Sequence, residues 1–160
     1  MIIEQLVETV YSITDDSGFL ALINADKYNS FIGEGWSFEQ LQQRFTEQTI
    51  ARNLLIWTTG GEGFYKVAVL RHPSDDKPFR GVHGEIEVTN ELLYLTNYED
   101  LTMAAQFPDE KLPANNSKAI RIKLRNGLYG VLIRQMFNPE FAIDEDDRIG
   151  FEVVFSEIAR

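Results

Sequence analysis

Residues Lys118–Phe137 read KAIRIKLRNGLYGVLIRQMF. Apolar and polar side chains alternate on both sides of Asn126-Gly127, and alternation at a period of two marks a strand with one buried face. Asn-Gly is the strongest short-range hairpin signal, because a type I′ turn needs positive φ at both central positions. A two-residue loop predicts that Arg125 pairs with Leu128, Leu124 with Tyr129 and Ile122 with Val131. That register gathers Ile120, Ile122, Leu124, Tyr129, Val131 and Ile133 on one face. Arg121, Lys123 and Arg125 go to the other, where they guard an edge strand against unwanted pairing.

The same grammar recurs upstream. NLLIW (Asn53–Trp57) and FYKVAVL (Phe64–Leu70) are almost continuously apolar, which predicts strands covered on both faces. The stretch TTGGEG, Thr58 to Gly63, joins them and reads as a flexible hairpin connection. GVHGEIEVT (Gly81–Thr89) and LLYLT (Leu92–Thr96) predict a second pair turning near Asn90 and Glu91, and IGFEVVFSEI (Ile149–Ile158) a final strand.

Helices are fewer. Ser37 followed by Gln40 forms a capping box, and Trp36 and Leu41 occupy the positions of a hydrophobic staple. Phe38, Leu41 and Phe45 then share a face, Glu39 and Arg52 suit the two ends of the dipole, and Asn53 is the stop. This predicts a helix over 38–52 that covers one side of the first strand pair. A short helix over 98–106 follows from Asn97 as cap and Pro108 beyond its end. The expected fold is α+β: a mainly antiparallel sheet or sandwich with these two helices, in one globular domain spanning 1–160. FPDEKLPANNSK, Phe107 to Lys118, is rich in structure breakers but too short to separate two domains.

Composition narrows the chemistry. With 44% hydrophobic and 25% charged residues the chain has the balance of an ordinary globular protein. No apolar run is long enough to span a membrane, and Glu4 stands where a secretory signal would carry a base, so a cytoplasmic location is expected. The absence of cysteine removes disulfides, thiolate metal sites and cysteine nucleophiles. The formal charge is −10, and from Lys118 onward seven acids balance seven bases, so the whole excess precedes that point. Such a surface repels nucleic acid and attracts basic proteins.

Familiar catalytic motifs do not fit. After Gly63 a P-loop would carry Lys and then Ser or Thr, but Phe64 and Tyr65 follow. A dinucleotide fingerprint would place glycine at Lys66 and open a helix, not a strand. Asp144 to Asp147, DEDD, departs from the EF-hand pattern, since Arg148 replaces an oxygen ligand and Phe155 the bidentate Glu. No serine lies in a nucleophile elbow. His83, Glu85 and Glu87 share one face of a strand opposite Ile86 and Val88, an arrangement suited to zinc, iron or manganese if a further ligand converges. Their alternative role is a solvated face paired across the sheet with Arg121 and Lys123. As a glycosidase pair the two glutamates fail, because they lie ~7 Å apart but point the same way instead of flanking a bond.

GEIEVTNELLYLTNYEDL (Gly84–Leu101) followed by IRIKLRNGLYGVLIRQ (Ile120–Gln135) resembles small β-rich bacterial proteins. Some of these are immunity or nuclease-inhibitor proteins that neutralise a toxin, and others are uncharacterised. The resemblance carries over no site residue and implies an intracellular protein that blocks a partner. Together these features favour a non-enzymatic binding module with a basic protein partner, needing no cofactor. Its candidate contacts are Trp57, Glu62 and Phe64, an acid bracketed by aromatics at a loop tip. The alternative is a small-molecule or metal-binding protein, or an enzyme, using His83, Glu85 and Glu87; a third reading is a structural or assembly role.

Overall fold

The computed structural model describes residues 6–15, 17–29, 31–106, 119–141 and 148–159. Among them the chain runs β1 (Thr9–Asp15), β2 (Phe19–Ile23), α1 (Phe38–Ile50), β3 (Leu54–Thr58), β4 (Gly63–Leu70), β5 (Arg80–Val88) and β6 (Leu92–Asn97). It continues with α2 (Tyr98–Gln106), β7 (Ile120–Lys123), β8 (Gly127–Gln135), a 3-10 turn at Pro139–Phe141 and β9 (Ile149–Ala159). The strands form two sheets, ordered β1-β4-β9-β8-β5 and β3-β2-β6-β7. All neighbours pair antiparallel except β4 and β9, which are parallel. The α+β expectation holds, and the sheet resolves into a sandwich.

The three expected hairpins are not formed. β3 and β4, β5 and β6, and β7 and β8 each lie in different sheets, as do β1 and β2. The four short connections therefore cross the sandwich, and the longer ones return to the same sheet. Alternation still governs which side chains are inside. Ile122 and Leu124 face the core from one sheet, while Tyr129, Val131 and Ile133 face it from the other. Asn126-Gly127 is a crossing and not a type I′ turn. Gly127 alone of the two has positive φ, and the Asn126 side chain accepts a 2.6 Å hydrogen bond from the Glu91 N–H. β7 is an edge strand with Arg121 and Lys123 exposed, as the bases implied.

Helices make a third layer. α1 begins with the full capping box between Ser37 and Gln40. It packs Leu41 inward and Phe45 against a cluster containing Ala21, Ile23, Leu54 and Leu101. Phe38, assigned to the buried face from its spacing, is 55% exposed. The helix stops at Ile50, short of residue 52, because Arg52 turns left-handed at φ 64. α2 spans 98–106 as expected, with the Asn97 carboxamide accepting from the Asp100 N–H at 3.3 Å. Pro108, the breaker stretch 107–118 and Asp144 to Asp147 lie outside the described residues. β3 shows the two-sided burial its composition implied, Leu54 facing the helix and Leu55 and Trp57 the inter-sheet core.

The outer face of the larger sheet carries a buried ion pair, Arg134 with Glu152. The segment 71–79 crosses over it, and Arg134 donates to the Ser74 carbonyl at 3.2 Å while the Ser74 N–H donates to Glu152 at 3.2 Å. On the opposite side of that sheet, Gly84 brings β5 against β3: a Cβ there would lie 2.4 Å from Leu55 Cδ2. Gly84→Ala is expected to cost about 1–3 kcal/mol in urea unfolding through overpacking. In a Leu55→Ala background the same change should cost almost nothing.

Candidate functional site

The glycine loop is the best-fastened connection in this part of the molecule. Asp15, fully buried at the end of β1, accepts from the backbone N–H groups of Ser17, Gly18 and Phe19 at 3.0, 2.8 and 3.1 Å. Its other oxygen accepts from the Thr59 hydroxyl at 2.5 Å, and that hydroxyl accepts in turn from the Gly61 N–H. The Thr59 N–H donates to the Gly18 carbonyl, Gln135 Nε2 donates to the Thr59 carbonyl at 2.6 Å, and the Tyr65 hydroxyl donates to the Gly61 carbonyl. The β1–β2 and β3–β4 crossings are thus stapled together. Gly60, at φ 83, meets the left-handed requirement of the turn. Burial pushes the Tyr65 phenol up, against the opposing pull of its Thr59 contact.

Glycine was expected to make this loop flexible, with Trp57 and Phe64 bracketing its tip. The hydrogen bonds hold it rigid, and the two aromatics part company. Trp57 is only 6% exposed, its ring 6.2 Å from that of Phe151 in the core. Phe64 lies on the outer face, 64% exposed, and Glu62 is exposed beside it.

Next to the loop the two sheets fail to close. β3 is one edge of the smaller sheet and β5 one edge of the larger, and they run side by side. Arg80 Nη2 bridges one end to the Thr58 carbonyl at 3.1 Å. Glu87 bridges the other, its N–H donating to the Arg52 carbonyl at 2.8 Å and its carbonyl accepting from Asn24 Nδ2 at 2.9 Å. Backbone groups alternate sides along a strand, so Glu85, His83 and Gly81 also turn theirs toward the open seam. Between the bridges lies a cavity of about 420 Å³. Leu55, Trp57, Ile133 and Phe151 form its apolar wall, and Arg80, His83, Glu85 and Gln135 its polar rim.

Trp57, His83 and Glu85, separated in the sequence reading, all border this cavity, Trp57 from the core and the other two from the edge of β5. The His83 imidazole lies over Gly130 on the outer face of the larger sheet. Glu87 does not line the cavity. His83, Glu85 and Glu87 do share the strand face expected of them, but β5 pairs with β8, so Arg121 and Lys123 are not their partners. Arg52 takes that place for Glu85, at 2.9 Å. Among the described residues no three His, Cys, Asp or Glu side chains converge to hold a metal. Arg80, Gln135, Asp15 and Thr59 were missed. Asp15 alone had a legible signal, since DDSG is a stretch of turn formers whose aspartate caps the following N–H groups.

No protein-family model and no curated protein matches the sequence. Two solved structures share the fold over nearly the whole chain. A protein described as crocagin biosynthetic gene J has a TM-score of 0.58 at 17% identity, covering 94% of this chain and 97% of its own. ComJ from Bacillus subtilis, an inhibitor of the DNA-degrading activity of NucA, has a TM-score of 0.56 at 10% identity over 100% of both chains. Among the described residues no helix is long and apolar enough to cross a membrane.

Asp15→Ala strands three N–H groups at once and leaves the Thr59 hydroxyl only the Gly61 carbonyl at 2.9 Å. Hydrogen bonds to a charged acceptor contribute about 1.5–3 kcal/mol each, so the loss is expected to exceed about 3 kcal/mol in chemical denaturation. Thr59→Val should cost less, and the double substitution less than the sum of the two.

Proposed function

We propose that the protein is a cytoplasmic binding module of the immunity type, which inhibits a basic partner by covering its charged surface. The observation that carries this reading is the superposition on ComJ along the whole of both chains, since ComJ inhibits the nuclease NucA. The charge agrees. An enzyme that degrades DNA must hold phosphates with lysine and arginine, and a surface with ten excess negative charges complements it.

The contact surface in this reading is the end of the sandwich at the glycine loop. Glu62 supplies an exposed carboxylate there and Phe64 an exposed aromatic anchor. Rigidity helps, because a loop already fixed by Asp15 and Thr59 loses little freedom on association. Trp57, buried in the core, supports the loop from behind and touches no partner.

Titrating the protein into a DNA-hydrolysis assay with NucA, or with another basic nuclease, is the test. The expected outcome is saturating inhibition that weakens steeply with added salt. Glu62→Lys combined with Phe64→Ala should weaken it by about tenfold with an unchanged melting temperature. Full nuclease activity at excess protein and low salt, across several basic nucleases, would remove the reading.

A further inference from the structure

We propose that the cavity between β3 and β5 is a binding site for an apolar carboxylate. Trp57 stands in the cavity wall. Its indole Nε1–H has no hydrogen-bond partner and lies buried just beneath the wall of the cavity that Trp57 lines. Buried donors are rarely left unmade, and a ligand oxygen that shifts this wall would satisfy it.

The charges define what kind of acceptor. Arg80 gives Nε to Gln135 Oε1 at 2.6 Å and Nη2 to the Thr58 carbonyl, both neutral, and among the described residues no carboxylate pairs with it. Glu85, the acid on the rim, is already engaged by Arg52. The rim therefore carries an uncompensated guanidinium, which suits an anion and disfavours an amine. The wall defines the rest of the ligand. Leu55, Ile133 and Phe151 are apolar, and Val82 stands 51% exposed on the inward-facing side of β5. A cavity of about 420 Å³ accepts a group the size of an aromatic side chain with its acid. The same carboxylate can belong to a free acid or to the C-terminus of a peptide. In the second case the open backbone edge at Gly81, His83 and Glu85 offers strand addition.

The site stands independently of the inhibitor reading: loss of acid binding leaves nuclease inhibition untouched, and the reverse. The probes are phenylbutyrate and its alcohol, phenylbutanol, together with the peptide Gly-Gly-Phe as free acid and as amide. The readout is the indole resonance of Trp57 in a proton–nitrogen correlation spectrum, assigned with Trp57→Phe. Saturable movement with an acid, absent with the matching alcohol or amide, is expected. Arg80→Gln should weaken binding by about tenfold and Arg80→Lys much less. Response to both acids identifies a general carboxylate site, and response to the peptide acid alone identifies a chain terminus. No saturable shift with either acid would overturn the proposal, as would equal binding of the neutral analogues or of the Arg80→Gln protein.

Discussion

The sandwich depends on one carboxylate. Asp15 sits where β1 leaves the larger sheet, and a chain that changes sheets must break its ladder and bury backbone donors there. The side chain collects three of those donors and then reaches the hydroxyl of Thr59, in the next crossing of the same kind. At the opposite end the β5–β6 and β7–β8 crossings are tied by Asn126 to Glu91, and by the Leu124 N–H to the Glu91 carbonyl. Each end of the molecule thus holds a pair of crossings, and each pair is sewn by side chains with short local reach.

That arrangement explains how far the sequence was legible. Alternation reports which side of a strand faces an apolar core and is silent about the sheet to which the strand belongs. Ile120, Ile122 and Leu124 bury the same faces whether they pair with Tyr129, Val131 and Ile133 or oppose them across the sandwich. The Asn-Gly pair, read alone, favours the hairpin. What decides against it is the Asn126 carboxamide, held by a backbone group thirty-five positions away. Local signals within one element, such as the Ser37–Gln40 box or the Asn97 cap, were read correctly because their partners are a turn away.

The candidate site was less legible for the same reason. Trp57 and His83 border one cavity only because β3 and β5 are unpaired edges of two different sheets. Strand order is not written in either stretch. The glycine loop misled in the other direction: three glycines in four residues suggest freedom of motion, but the partners that remove it are Asp15, Gln135 and Tyr65.

The place of β9 also bears on how the molecule is made. It lies between β4 and β8, parallel to one and antiparallel to the other. Without it, the larger sheet would be only two separate pairs, β1 with β4 and β5 with β8. Each of those pairs then presents an open edge, the kind of surface that invites pairing with another chain. Those edges stay open to intermolecular pairing in any state that lacks β9. The Ile149–Ala159 strand closes both at once.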